Sequence, residues 1–276
     1  MVLNAATSDT GTTAERGPAL VSGGSRGLGL VIARRLAGAG WDVVIAARDE
    51  RALDAAAEDA AAEGLKLHPL RADVTSETSV AELFERLAGR GPLRLCVNNA
   101  GRNYNHQLVR IADSERSELR PHPVDAWERT IGLCLTGVFL VGRHAAAVML
   151  AAGTPGVIVN ISSTVRHGSY GQSAYAAAKA GVESLTRTWA VELGEHGIRV
   201  VAVAPGVLDG AALRERSAAN PRHAAYMERL RRQVPLQRWC DEHDVADAVA
   251  FAADNPSLTG TVLEVDGGGL PKRVYD

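Results

Sequence analysis

Tyr175 and Lys179 stand four residues apart in Tyr-Ala-Ala-Ala-Lys, so on a helix they share one face. A free phenol titrates near about pH 10, and a neighbouring ammonium favours the phenolate, bringing the group towards proton transfer at neutral pH. Just upstream, Ser162 and Ser163 follow the apolar run Gly156–Ile161. A hydroxyl at the end of a strand can hydrogen-bond a carbonyl oxygen as negative charge develops on it. Together these groups make an acid with its assistants.

A second constellation lies near the start of the chain. Ser22-Gly23-Gly24-Ser25-Arg26-Gly27-Leu28-Gly29 runs straight into the helical pattern Leu30 to Leu36. Glycines let the backbone turn sharply and approach phosphates, and the helix N-terminus offers unpaired N–H groups to an anion. The spacing is Gly-x-x-x-Gly-x-Gly, distinct from the common Gly-x-Gly-x-x-Gly fingerprint and without the Lys-Ser/Thr ending of a P-loop. The next apolar run, Asp42 to Ala47, ends in Arg48 and has no acid at its tip. A carboxylate there would bind a ribose 2′-OH and repel a 2′-phosphate, whereas Arg48 and Arg26 can pair with that phosphate. These two residues predict NADP(H) as the better-bound cofactor, with Asp49 and Glu50 able to weaken the field.

The elements that must position these groups are legible from periodicity. Strands are predicted at Ala19–Ser22, Asp42–Ala47, Lys66–Leu70, Leu93–Val97, Gly156–Ile161, Ile198–Ala204 and Thr261–Val265, and most are continuously apolar, as strands covered on both faces are. Helices are predicted between them, at Gly27–Ala39, Glu50–Glu63, Glu77–Gly89, Val124–Ala151, Ser173–His196, Ala211–Arg232 and Glu242–Asp254. The alternation predicts an α/β fold with a parallel sheet. With 276 residues, 46% hydrophobic and 22% charged, and no linker or repeat, one domain over 17–276 is expected behind a mobile tail over 1–16. Two stretches, Gly101–Pro123 and Ala204–Asn220, read as irregular loops beside the strand ends where ligands bind.

The net charge of −2 gives no general pull towards nucleic acid or anionic membrane. Three widely spaced cysteines, Cys96, Cys134 and Cys240, suggest neither disulfides nor a thiolate metal site and suit a reducing cytoplasm. The eight histidines show no metal spacing, so no metal is expected. The most apolar stretch, Ile131 to Ala152, is interrupted by Arg143 and His144, so no membrane span is expected. No secretory signal is read at the start of the chain.

The combination of Ser-Gly-x-x-x-Gly-x-Gly at 22–29, Asn98-Asn99-Ala100-Gly101, Ser163 before Tyr175-x-x-x-Lys179, and Pro205-Gly206 resembles the short-chain dehydrogenase/reductase superfamily, nearest its 3-oxoacyl-carrier-protein reductase-like members. The resemblance runs from about Pro18 to Gly269. It implies a Rossmann-type, doubly wound domain with a seven-stranded parallel sheet, hydride transfer between NAD(P) and a ketone or secondary alcohol, and homo-oligomers, as tetramers or dimers. It further implies Tyr175 as acid/base, Ser163 as the group polarising the substrate oxygen, and Lys179 lowering the Tyr175 pKa while holding the nicotinamide ribose. Gly23, Ser25, Arg26, Gly27, Leu28, Gly29 and Arg48 would hold the pyrophosphate and adenosine ribose. Asp73 and Val74 would bind adenine, Asn99, Ala100 and Gly101 would pass the ribose, and Pro205 and Gly206 would meet the nicotinamide. Ser163 stands twelve residues before Tyr175, one short of a common family spacing that Ser162 matches, but in the Asn-Ile-Ser-Ser pattern the catalytic serine is the second.

Two departures bear on this reading. Cys134 replaces the Asn of the family's Asn-Leu-Thr-Gly pattern, and Gly210 stands where many relatives carry a Thr that touches the nicotinamide. They leave two rivals, a catalytically silent dinucleotide-binding protein and a related enzyme of non-redox chemistry. Residues 101–123, rich in Arg, Asn and His, and a lid over 207–235 are expected to flank the substrate site. The lid arginines Arg214, Arg216, Arg222, Arg229, Arg231 and Arg232 suit either an anionic or carrier-bound substrate or a solvated helix balanced by Glu215 and Glu228.

Overall fold

Continuous apolar runs form strands only where helices cover both of their faces. The computed structural model, which describes residues 16–112 and 118–269, shows that cover. In chain order the elements begin with β1 (Pro18–Ser22), α1 (Gly27–Gly38), β2 (Asp42–Ala47), α2 (Glu50–Ala62), β3 (Leu67–Arg71), α3 (Glu77–Ala88) and β4 (Leu95–Asn98). A small hairpin, β5 (Val109–Ile111) and β6 (Leu119–Pro121), precedes α4 (Val124–Ile131) and α5 (Gly137–Ala152). There follow β7 (Gly156–Ile161), α6 (Ser173–Leu193), β8 (Ile198–Pro205), α7 (Ala211–Ala219), α8 (Pro221–Arg231), α9 (Glu242–Asp254) and β9 (Val262–Val265).

Seven strands pair in the order β3-β2-β1-β4-β7-β8-β9, all parallel. The period-two alternation of β1 sends Ala19 and Val21 into a layer with Ile32 and Leu36 of α1 and Val245 and Val249 of α9. Leu20 faces the opposite layer, with Leu83 and Phe84 of α3, Val141 and Met149 of α5, and Val182 and Trp189 of α6. Each such buried Leu, Ile or Phe contributes about 1.5–3 kcal/mol from water exclusion. The chain leaves β1 towards one layer and β4 towards the other, so a crevice opens between their carboxyl ends, where open α/β sheets bind ligands. The glycine turn, Asn99 and Ser163 follow strands on this edge, Pro205 ends one, and Tyr175 lies near the start of α6.

The helix predicted over Val124–Ala151 is continuous, but one turn, Gly132–Thr136, is a π-helix with the fully buried Cys134 at its centre. Val124–Ala152 is long and apolar enough to cross a bilayer, yet Gly142, Val141 and Met149 are buried in the protein's own core. A Cβ on Gly142 would lie 2.5 Å from the Trp189 ring, so glycine lets α5 and α6 pack closely.

Three expectations need correction. The stretch Gly101–Pro123 contains the β5–β6 hairpin, whose three-residue strands pair only with each other and are exposed, too short for alternation to register. The predicted helix Ala211–Arg232 breaks at Pro221, which lacks an N–H and begins α8, with the Asn220 side chain capping Arg222 N and His223 N. The stretch Ala204–Asn220 is therefore irregular only as far as Gly210, where α7 starts. Residues 1–15 of the expected tail lie outside the described residues, but Arg16 is held by Asp254 and lies over the Trp41 ring. Arg116 of the loop also lies outside them.

Candidate active site

The glycine turn is built so that side chains are excluded. Gly23 and Gly27 have φ of +67° and +53°. A Cβ on Gly29 would sit 2.2 Å from the Gly23 carbonyl oxygen, and one on Gly23 would sit 2.8 Å from Ala100 Cα. The Asn99 amide donates to the carbonyls of Ser22 and Gly23 at 3.1 and 3.2 Å, while the backbone N–H groups of Asn99 and Ala100 donate to Ser22 Oγ. Asn99 thus clamps the turn itself. Helix α1 starts at Arg26 with no side-chain cap and no acid in its first turn, so its first N–H groups remain for an anion. The cradle and its bare helix end fit a dinucleotide pyrophosphate.

Ser25 and Leu28 are half-buried in this turn, and Arg26 is exposed beside it. Arg48 is exposed at the end of β2, and its carbonyl accepts from Arg71 Nε at 3.3 Å. Sequence reasoning missed Arg71, although it ends β3 as Ala47 and Arg48 end β2, in register with Ala47. Asp73 Oδ1 accepts from the Thr75 N–H and hydroxyl at 2.9 and 2.7 Å, and Val74 is buried against Gly137. Pro205 ends β8, and Gly206 donates to the Val265 carbonyl so closely that a Cβ would lie 2.9 Å from Asp266 Cα.

The two serines separate cleanly. Ser162 is buried and donates to Glu183 Oε1 at 2.9 Å, whereas Ser163 is half-buried and its Oγ accepts from Val165 N at 3.4 Å. Lys179, on α6, is 2% exposed, donates to the Ile161 carbonyl at 2.6 Å and stands 5.5 Å from the Tyr175 ring centroid. A Cβ on Gly101 would fall 3.8 Å from Lys179 Nζ and 3.6 Å from Cys134 Sγ. These contacts string Gly23, Ala100, Gly101, Lys179 and Tyr175 together along the carboxyl edge of the sheet. Burial pushes the Tyr175 phenol above its ordinary range, with Cys134 acting in the same direction, and burial pushes the Lys179 ammonium down. The Lys179 ammonium, expected to pull the phenol down, donates to the Ile161 carbonyl and faces the phenol ring. Cys134, predicted as a plain buried side chain, donates to the Arg102 carbonyl at 3.4 Å and ties the 101–123 stretch to the π-turn.

Several functional-site neighbours were invisible in one dimension. Asn98 donates to Asn160 and Asn160 to Thr186, both at 2.9 Å, a buried polar chain joining β4, β7 and α6. Arg166 lies 2.7 Å from Glu183 and also pairs with Glu264, beneath the loop that carries Ser163. His106 N donates to the Gly171 carbonyl at 2.9 Å and Asn103 donates to Gln172 at 2.8 Å, so the 101–123 stretch docks just before Tyr175. In the 207–235 segment, Arg231 and Arg232 pair with Glu228, and Arg214 pairs with Asp209. Both arginines hold the Glu228 carboxyl down at about 2.

Comparison with known proteins adds the following. Residues 23–269 match the family described as enoyl-(acyl carrier protein) reductase. The chain is 41% identical over 258 residues to cis-4-hydroxycyclohexanecarboxylate dehydrogenase of Sinomonas cyclohexanicum, covering 91% of this chain and 95% of that one. It is 33% identical over 256 residues to a 3-oxoacyl-[acyl-carrier-protein] reductase of Staphylococcus epidermidis, covering 91% and 97%. Among solved structures, a Pseudomonas aeruginosa RhlG/NADP active-site complex superposes with a TM-score of 0.80 at 30% identity, covering 92% of this chain and 96% of that one.

Proposed function

Because the chain belongs to the short-chain dehydrogenase/reductase superfamily, with its 3-oxoacyl-carrier-protein reductase-like members, and is an oxidoreductase of hydroxyl and carbonyl groups, we propose that it interconverts a ketone and a secondary alcohol with NADP(H). The observation that carries this reading is the cluster in which Lys179 Nζ, 2.6 Å from the strand-end carbonyl of Ile161, faces the Tyr175 ring beside Gly101, next to the glycine turn.

In this reading Tyr175 exchanges a proton with the substrate oxygen, and Ser163, whose hydroxyl is not consumed by Glu183, donates to that oxygen as it gains charge. The bound nicotinamide supplies or accepts the hydride. Lys179 supports the phenol electrostatically and holds the nicotinamide ribose, which places a further polar group against the buried ammonium. Gly23, Ser25, Gly27, Leu28 and Gly29 line the pyrophosphate, and Asp73, Val74, Asn99, Ala100 and Gly101 flank the adenosine. Pro205 and Gly206 close on the nicotinamide. Arg26 and Arg48, the latter with Arg71 beside it, supply the cationic groups that favour a 2′-phosphate, and the NADP named in the RhlG complex supports that choice.

The 207–235 segment acts as the lid and the 101–123 stretch as the side wall of the substrate pocket. A compact secondary alcohol bearing a carboxylate is supported by the name of the Sinomonas relative, and carrier-bound substrates by that of the Staphylococcus relative. The pairing of Arg214, Arg231 and Arg232 within the lid makes these three its internal ties. Exposed Phe139 and Leu150 on α5 and Val191 on the neighbouring α6 support a homo-oligomer, and the cysteine usage supports a cytoplasmic setting.

The test is a fluorescence titration with NADPH and NADH, followed by a panel of ketones and secondary alcohols read at the reduced-nicotinamide absorbance. NADPH binding tighter than NADH, with turnover of a panel member, is expected. Tight binding without turnover across the panel would transfer the site to a silent or non-redox role, and a preference for NADH would overturn the arginine argument.

A further inference from the structure

One carboxylate approaches the glycine turn that the proposed function assigns to the cofactor's phosphates. The segment after β8 is stitched to the start of α9, since Cys240 N donates to the Val207 carbonyl and Asp209 N to the Cys240 carbonyl, both at 2.9 Å. This pairing brings Gly210, the buried residue before α7, against Glu242, the first residue of α9. A Cβ on Gly210 would sit 2.7 Å from Glu242 Oε1, and a Cβ on Gly27 of the glycine turn would sit 3.8 Å from the same oxygen. A single carboxyl oxygen therefore lies between the phosphate cradle and the hinge of the lid. A larger residue at 210 would displace the carboxyl from this position.

Resting on the reading of the glycine turn as a dinucleotide cradle, we propose that Glu242 sets cofactor affinity: its carboxyl faces the pyrophosphate and accommodates it in the protonated form, so that binding takes up one proton. An ionised carboxylate beside a pyrophosphate is a like-charge contact, whereas a protonated one is a hydrogen-bond donor to it. The charges acting on Glu242 are Arg214 and Asp209 from the lid, paired with each other at 3.4 Å, and Asp241 and His243, its neighbours at the start of α9. Burial raises the Glu242 carboxyl, Asp241 and Asp209 act in the same direction, and Arg214 and His243 oppose them. The pyrophosphate adds negative charge and raises it further. Affinity is then highest at low pH and falls as pH rises through the range between the free and bound states of this carboxyl.

The experiment measures the dissociation constants of NADPH and NADH for the wild type and for Glu242→Gln, by fluorescence, from about pH 5 to about pH 9 at fixed ionic strength. The 2′-phosphate and all other groups titrate in both proteins and cancel in the ratio. The ratio of wild type to Glu242→Gln is expected near one at the acid end and about tenfold or more at the alkaline end, for both nucleotides. Calorimetry with NADH in two buffers of different ionisation heat, at the pH where the ratio changes most steeply, should show proton uptake by the wild type and none by Glu242→Gln. The calorimetric result on the wild type stands even if the variant folds poorly. Binding with a flat ratio and no proton uptake overturns the proposal alone. Failure of either nucleotide to bind at any pH overturns the functional reading and this proposal with it.

Discussion

Replacing Arg166 by methionine probes the buried charges beneath the serine loop. Arg166 Nε stands 2.7 Å from Glu183 Oε1, with side chains only 6% and 8% exposed, and Glu264 holds the other end of the guanidinium at 52% exposure. Methionine keeps the apolar stem and removes the charge. Glu183 is then left with the Ser162 hydroxyl at 2.9 Å and Arg187 at 3.8 Å. Removing one partner of a buried pair costs about 3–5 kcal/mol, because the other charge stays desolvated. Ser162 and Arg187 offset part of this, so we expect ~3 kcal/mol and a Tm lower by about 6–12 °C. Glu264→Gln, at a half-exposed position, should cost under ~1 kcal/mol. The double variant Arg166→Met/Glu183→Leu should recover much of the loss, since neither charge is left buried alone. Thermal and urea denaturation followed by circular dichroism measure the wild type, these three variants and the Glu183→Leu single variant that completes the cycle. Arg166 Nη1 also donates to the Ser163 carbonyl at 3.4 Å, so the single variant should lower kcat as well as Tm. A loss below ~1 kcal/mol for Arg166→Met, or strict additivity in the double variant, would refute the reasoning.

Tyr175→Phe should cut turnover by about a hundredfold or more while leaving NADPH affinity within about threefold, because the ring stays and only the hydroxyl goes; retained turnover in a steady-state assay would remove Tyr175 from the chemistry. Ser163→Ala should lower kcat by about a hundredfold, whereas Ser162→Ala should act chiefly on Tm by leaving Glu183 without its hydroxyl donor; the reverse pattern would exchange their roles. Arg26→Ala with Arg48→Ala should shrink the NADPH-over-NADH preference by about tenfold or more, read from paired fluorescence titrations. Gly29→Ala forces a Cβ to within 2.2 Å of the Gly23 carbonyl, so the turn must open and nucleotide binding should be lost even where circular dichroism shows a folded protein; undiminished affinity would mean that the turn is not the cradle.

The sheet strands were legible because a strand buried on both faces must be apolar throughout, a property carried by each run alone. The glycine turn was legible for a similar local reason, since a positive φ and a close backbone approach demand glycine whatever the rest of the chain does. The β5–β6 hairpin was not, because three exposed residues per strand leave no hydrophobic pattern to read. Pro221 was visible, and it ends the predicted lid helix as its missing N–H requires.

By itself the sequence determined the fold class, the glycine turn and the Tyr175–Lys179 face, because each rests on the type and spacing of residues close together in the chain. Only the tertiary structure decided which of two adjacent serines keeps a free hydroxyl, for that depends on Glu183 claiming Ser162 from a helix far along the chain. It also decided that Tyr175 is desolvated, which raises its phenol, and that one carboxyl oxygen of Glu242 lies near both Gly27 and Gly210. Competition for hydrogen bonds, exclusion of water and close approach are properties of surroundings, and the surroundings of these residues are assembled from segments that only folding brings together.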